Sequence, residues 1–70
     1  MKRTKWLGSD VCDICHAKIV TVLYDAKTVY GPWATMCPRC WKDNTYQRLG
    51  VGLGQKYVKN EDGDFIKEEV

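Results

Sequence analysis

The four cysteines of this 70-residue chain form two short pairs whose spacing is typical of metal ligands. Two residues separate the members of each pair, and 21 residues separate the pairs. A two-residue spacer lets one turn of the chain direct both sulfurs to one ion, and four thiolates complete the tetrahedral shell that zinc favours. The sequence therefore predicts one structural Zn²⁺ ion bound by Cys12, Cys15, Cys37 and Cys40. With sulfur at every position, no coordination site stays open for water or substrate.

Other chemistries of the same cysteines agree less well with the rest of the sequence. Iron uses the same four thiolates and is the main competitor of zinc. Disulfides would require an oxidising compartment, whereas the basic start of the chain is not followed by the apolar run of a secretory signal. His16 completes a c-type haem motif with the first pair, but that assignment leaves the second pair unexplained. A dithiol redox site at the second pair would need a βαβ scaffold that this pattern does not predict.

Because the chain is small, a bound metal ion is expected to contribute much of the free energy of folding. A domain of this size buries only about 60% of the surface that its unfolded chain exposes. Binding of a structural zinc ion contributes ~10–16 kcal/mol, which matches or exceeds the roughly 5–15 kcal/mol total stability of a domain. We therefore expect the metal-free chain to be unfolded or molten. Trp33 and Trp41 flank the second pair and are expected to cover the metal as part of the core.

The segment between the two cysteine pairs predicts a β-hairpin. Residues 19–24 are rich in β-branched and aromatic side chains and indicate a strand. Residues 25–27 are predicted to form the turn that ends this strand. The return strand is expected to begin at residue 28 and to be interrupted at Gly31 and Pro32, because proline cannot donate a ladder hydrogen bond. Residues 33–36 then lead into the second pair.

The segment after the second pair predicts a helix and a second hairpin. Pro38 suits a first helical position, and residues 39–49 contain no further proline or glycine, which indicates about three turns. Gly50 is expected to act as the C′ cap and opens a glycine-rich loop. Residues 57–59 and 65–67 are short β-prone stretches on either side of an Asp-Gly turn signal.

These elements together predict a small α+β domain stabilised by zinc. The order of zinc knuckle, β-hairpin and second knuckle opening a helix is treble-clef-like. A zinc ribbon, with a strand after Cys40 in place of a helix, is the alternative. The predicted organisation is a basic lead-in at residues 1–11, a four-cysteine zinc domain at 12–59, and an acidic C-terminal tail or short hairpin at 60–70.

Charge is distributed unevenly along the chain. Residues 1–60 contain ten Lys and Arg against four Asp, a net of +6, while residues 61–70 contain five acidic residues against one Lys, a net of −4. Four thiolates around one zinc ion add −2, so the metal-bound basic part is nearer +4. A basic surface is compatible with a polyanionic partner. The candidate nucleic-acid contacts are Lys2, Arg3, Lys5, Lys42, Tyr46, Arg48 and Lys56.

The residues that remain predict a binding module and not an enzyme. No catalytic constellation is visible: the one histidine adjoins a cysteine pair, every cysteine is a predicted metal ligand, and no carboxylate pair is framed by a pocket-forming pattern. We therefore expect a non-enzymatic zinc module that binds nucleic acid, with a protein-binding module as the alternative and a redox protein as a minor third class. No small-molecule substrate is evident. No stretch approaches the ~20 apolar residues of a membrane span, and we expect a cytoplasmic location.

Two stretches of the sequence resemble a known group of proteins. Residues 31–40, GPWATMCPRC, and residues 50–57, GVGLGQKY, are similar to small uncharacterised bacteriophage-encoded CxxC proteins, and residues 6–8 and 24–27 fit the same group. The resemblance covers roughly residues 6–57. It implies a phage origin, a setting in the host cytoplasm and the same four cysteines as ligands, and it makes a host or phage protein the partner of the alternative protein-binding module. It implies no particular activity.

Overall fold

Four antiparallel strands form a single sheet in the computed structural model, which describes residues 4–68. The elements are β1 (Val22–Lys27), β2 (Trp33–Met36), α1 (Pro38–Asn44), β3 (Gly54–Lys59) and β4 (Phe65–Lys67). The strand order is β2-β1-β3-β4, so β1 and β3 are the inner strands. The expectation of a small α+β domain is confirmed. Within the described residues, no helix has the length and apolar character needed to cross a membrane.

The first hairpin lies further along the chain than its residue types predicted. Residues 19–21 precede β1, because the N–H of Ile19 donates to the carbonyl of Asp10 at 2.6 Å instead of joining the sheet. The predicted turn at residues 25–27 is strand, paired with residues 33–35 of β2. The actual turn is stabilised by Thr28, whose N–H and hydroxyl both donate to the carbonyl of Pro32. The glycine and proline predicted to interrupt the return strand therefore lie in the turn.

The helix is about two turns long and ends five residues before the predicted end. Asn44 donates its side-chain N–H to the carbonyl of Cys40, and the Thr45 hydroxyl donates to that of Trp41. Side chains of these types compete with helix continuation because they satisfy the last carbonyls themselves. The N–H of Val29 donates to the carbonyl of Asn44 at 2.8 Å, and this hydrogen bond connects the helix end to the first hairpin turn. The three-turn prediction is therefore wrong.

Gly50 is part of a closed turn and not a helix cap. It exchanges two backbone hydrogen bonds with Gly54, at 2.8 and 3.1 Å. Gly50 and Gly52 have φ values of 127° and 78°, in the left-handed region that favours glycine. The N–H groups of Gly50, Leu53 and Gly54 are all used within this turn, which leaves them unable to bind a phosphate.

The sheet has apolar side chains on both faces, and each face is covered by a different part of the chain. Directly opposite residues of antiparallel strands point to the same face. Leu23 and its partner Tyr57 lie on one face. The ring of Trp6 packs there against that of Tyr57, with ring centroids 5.2 Å apart. Tyr24 and its partner Met36 lie on the other face, where α1 packs.

Two expectations about the second cysteine pair have different outcomes. Trp41 is partly buried and stacks on Tyr24, with ring centroids 4.1 Å apart and planes 6° from parallel. Trp33 was expected in the core but is 45% exposed, because it begins an edge strand opposite the exposed Lys27. Cys40 lies inside α1, whereas a zinc ribbon requires a strand after it.

Both outer edges of the sheet are paired with other parts of the chain. On the β4 side, the N–H of Trp6 donates to the carbonyl of Phe65, and the N–H of Lys67 donates to that of Thr4. On the β2 side, Asp13 pairs with Thr35. β3 and β4 form the predicted second hairpin, with Gly63 in its turn at φ 85°. Unpaired sheet edges are sites for unwanted association, and these contacts cover them.

We expect Gly54→Ala to destabilise the protein by about 1–3 kcal/mol, as overpacking does. An added Cβ would lie 2.7 Å from the Cβ of Ala26, its direct partner across the sheet, and 3.2 Å from the carbonyl oxygen of Arg48. Urea unfolding in saturating zinc measures the loss. The double variant with Ala26→Gly removes the opposing methyl group. Its loss in free energy of unfolding should be smaller than the sum of the losses in the two single variants. Strict additivity would show that the two positions do not clash.

Candidate metal centre and adjoining groove

The four predicted metal ligands converge on one point. All four Sγ atoms lie within 4.8 Å of one another, and those of Cys15 and Cys37 are 3.8 Å apart. None of the four is in a disulfide. A tetrahedral zinc site with ~2.3 Å bonds places its sulfurs about 3.8 Å apart. The cluster is therefore positioned to bind a metal ion of this size.

The first pair is held by a short closed loop. The N–H of His16 donates to the carbonyl of Cys12, and the N–H of Cys12 donates to that of Ala17, both at 2.9 Å. His16 has a φ of 65°, which lets the chain reverse directly after Cys15. The loop is attached to β2 through Asp13, whose N–H donates to Thr35 and whose carboxylate accepts the Thr35 N–H, both at 2.8 Å.

The second pair is positioned by the start of α1. Cys37 is the N-cap residue with extended backbone, and Pro38 occupies the first turn. Cys40 follows within the helix, so a single turn brings its sulfur to the same side as that of Cys37. Both pairs thus rest against β2, since Asp13 bonds to this strand and Cys37 directly follows its last residue.

The surroundings of the sulfurs differ in how well they tolerate a negative charge. Burial raises the pKa of the Cys12 thiol, but backbone N–H groups of Cys15, Cys37 and Ile14 donate to its sulfur, and the pKa is lowered to about 6. Burial, followed by hydrogen bonds that the Cys40 thiol donates to the three neighbouring sulfurs, raises the pKa of Cys40. Four adjacent thiolates need a cation, and a coordinating thiol loses its proton to the metal. The donor set therefore fits a divalent ion.

The chain shows no similarity to known proteins that would assign it to a family. It matches no protein-family model, no curated protein and no solved structure. The resemblance to bacteriophage CxxC proteins therefore stays a prediction, and the candidate functions rest on geometry.

Among the described residues, the candidate nucleic-acid contacts have different surroundings. Lys2 and Arg3 lie outside the described residues. Lys5 and Lys56 have carboxylate neighbours near the C-terminal end of the chain, with Asp64 at 3.2 Å from Lys5 and Glu68 at 3.8 Å from Lys56. Lys42 is exposed on α1. Tyr46 and Arg48 are the two candidates that the structure brings to one place.

Tyr46 and Arg48 line a groove of about 420 Å³ at one end of the sheet. Lys27 and Tyr30 of the first hairpin turn form the opposite wall. Leu53, in the closed turn between Gly50 and Gly54, also lines the groove. No acidic residue is among the described residues that line the groove. This volume lies within the range of ligand-binding clefts, about 300–1,000 Å³.

Lys27 and Tyr30 were missed as candidate contacts. Their residue types carried the same signal as Arg48 and Tyr46, since both pairs combine a cation with a tyrosine. The turn was predicted at residues 25–27, which placed Tyr30 within a strand and separated it from Lys27. Only the register of β1 against β2 places both residues at the turn that faces the end of α1.

Proposed function

We propose that this protein is a non-enzymatic zinc-binding module that binds nucleic acid through the groove between the first hairpin turn and the segment after α1. Zinc is the proposed ion because it has no redox chemistry, which suits a structural site of four converging sulfurs beside β2 and α1, and iron bound by the same sulfurs is the alternative. A non-enzymatic role is supported by the sequence, in which the one histidine adjoins a cysteine pair and the four cysteines are all predicted metal ligands.

A treble-clef arrangement is part of the same proposal. The chain passes from the first cysteine pair through the β1–β2 hairpin to the second pair at the start of α1, which supports this assignment. In this arrangement the metal joins the first loop to the helix, and the groove lies where the same hairpin turns. The resemblance to phage proteins would place the module in the cytoplasm of an infected host.

The observation that carries the nucleic-acid proposal is that two cations outside the ion pairs of the described residues line one groove together with two exposed tyrosines. Within residues 4–68, the ion pairs involve Lys5 and Lys56, and neither Lys27 nor Arg48 is among them. Both groove cations are exposed, and exposed tyrosines lie beside them. Cations without carboxylate partners can neutralise phosphates, and aromatic rings beside them can contact bases.

A protein-binding module is the second candidate. The same groove presents Val29, Tyr30 and Leu53, which are all large and more than a third exposed. Apolar and aromatic side chains of this kind also occur at protein interfaces. Salt dependence separates the two candidates, because binding to a phosphate backbone releases counterions and weakens steeply as salt is added.

The proposed function is tested by gel retardation and by a salt titration of affinity. We expect the zinc-bound protein to bind DNA or RNA at low salt, with the logarithm of the association constant falling linearly with the logarithm of salt concentration. The double variant Lys27→Gln with Arg48→Gln should reduce the slope by roughly 1.4–1.8, because each phosphate contact contributes about 0.7–0.9.

The matched control for this test is the double variant Lys5→Gln with Lys56→Gln. It changes the net charge by the same amount but removes cations that already face carboxylates. Its salt slope should stay close to that of the wild-type protein. If the wild-type protein retards neither DNA nor RNA, single- or double-stranded, at low salt, the proposed function is wrong.

A further inference from the structure

The two tyrosines of the groove are unusually open to solvent. Tyr30 is 75% exposed and Tyr46 is 77% exposed, whereas the other tyrosines of the chain are buried in the sheet. Exposure of a large aromatic ring gains nothing for folding, since burial of such a ring is favourable. Two such rings that line one groove beside cations therefore suggest a binding role.

The walls that carry these rings are connected by hydrogen bonds. The N–H of Val29, next to Tyr30, donates to the carbonyl of Asn44 at 2.8 Å, two residues before Tyr46. The N–H of Lys27 donates to the carbonyl of Leu53 at 3.1 Å. Connected walls hold the groove open before a ligand arrives, which lowers the entropy cost of binding.

The chemistry of the groove favours unpaired nucleotides over a duplex. Bases in a duplex are stacked on one another, so their faces are unavailable to a tyrosine ring, whereas single-stranded bases can stack on it. Duplex readers usually place a helix or a β-ribbon in a groove of the nucleic acid. Here the two tyrosines lie instead on a concave surface between turns. Lys27 and Arg48 line the same surface, where they can contact the backbone phosphates.

We propose, on the basis of the nucleic-acid binding proposed above, that this groove binds single-stranded nucleic acid by stacking bases on Tyr30 and Tyr46 while Lys27 and Arg48 contact the adjoining phosphates. Base stacking on an aromatic side chain does not depend strongly on base identity. The site therefore has little sequence preference and selects strands by whether their bases are accessible.

The test compares three fluorescently labelled probes by anisotropy at low salt: a 12-mer of thymidine, a 12-mer of uridine and a 12-base-pair DNA duplex. We expect at least one single-stranded probe to bind more tightly than the duplex. The double variant Tyr30→Ala with Tyr46→Ala should weaken single-strand binding by roughly 5- to 150-fold per tyrosine that stacks on a base. Both side chains are largely exposed, so the variant should retain the wild-type circular-dichroism spectrum.

The matched control is the double variant Tyr30→Phe with Tyr46→Phe, which keeps the rings and removes the hydroxyl groups. Retained single-strand affinity in this variant supports stacking over hydrogen bonding. Equal affinity for the duplex, or unchanged binding in the alanine variant, overturns the inference while leaving nucleic-acid binding intact. Failure to bind any of the three probes, and a 12-base-pair RNA duplex as well, overturns the proposed function itself. A 12-mer of deoxyuridine, which differs from the uridine probe only in the sugar, tests whether the site prefers DNA or RNA.

Discussion

Excess EDTA is expected to abolish the circular-dichroism spectrum of the folded protein, and added zinc should restore it. The four sulfurs connect the first loop, which is attached to β2 through Asp13, to the start of α1, which packs on the sheet through Trp41. The metal contributes ~10–16 kcal/mol in domains of this kind, which is as large as the whole stability of a typical domain. Metal analysis of the purified protein should find one zinc per chain.

A ligand variant and a neighbouring control sharpen this test. Cys12→Ser should lose the metal and unfold, because its sulfur is completely buried and close to all three others. The control His16→Asn changes the exposed residue that directly follows Cys15. Asparagine tolerates the positive φ found at this position. The control should keep one zinc and the full spectrum. A purified protein that carries no metal and keeps its spectrum in excess EDTA would contradict the metal assignment, and visible absorbance would indicate iron.

Leu23→Ala is expected to lower the free energy of unfolding by about 2–5 kcal/mol. Leu23 has no exposed surface and lies in the inner strand β1, opposite the buried Tyr57. Truncation leaves a cavity between the sheet and the segment that covers it, and a small core has few other side chains to fill the space. Urea unfolding should be measured at a fixed excess of zinc, because bound metal shifts the apparent stability.

Val20→Ala is the control for the core substitution. Val20 lies three residues earlier in the same chain segment and is 61% exposed. The change should alter stability by no more than about 0.5 kcal/mol. Equal losses in the two variants would mean that the buried face of β1 is not the centre of the core.

Local residue types were enough to predict the elements that depend on local chemistry. Pro38 at the start of α1 and Gly63 in the second hairpin turn were placed correctly, because proline and glycine act through their own backbone geometry. The helix end was not predicted, although Asn44 and Thr45 are poor helix formers. Their side chains bond to the carbonyls of the last turn, and the N–H of Val29, from the distant hairpin turn, donates to the carbonyl of Asn44.

The candidate groove could not be predicted because its walls are distant in the chain. Strand register depends on cross-strand packing, such as the close approach of Ala26 and Gly54, and a shift of register changes which residues form the turn. The carboxylates that pair with Lys5 and Lys56 come from the other end of the chain. Sequence alone therefore could not separate paired cations from free ones.

The amino-acid sequence by itself determined the donor set of the metal centre, because the type and spacing of two Cys-x-x-Cys turns are local properties that long-range contacts do not alter. The tertiary structure decided which tyrosines and cations share a surface. That outcome depends on the pairing of β1 with β2 and β3, which brings together side chains far apart in the chain.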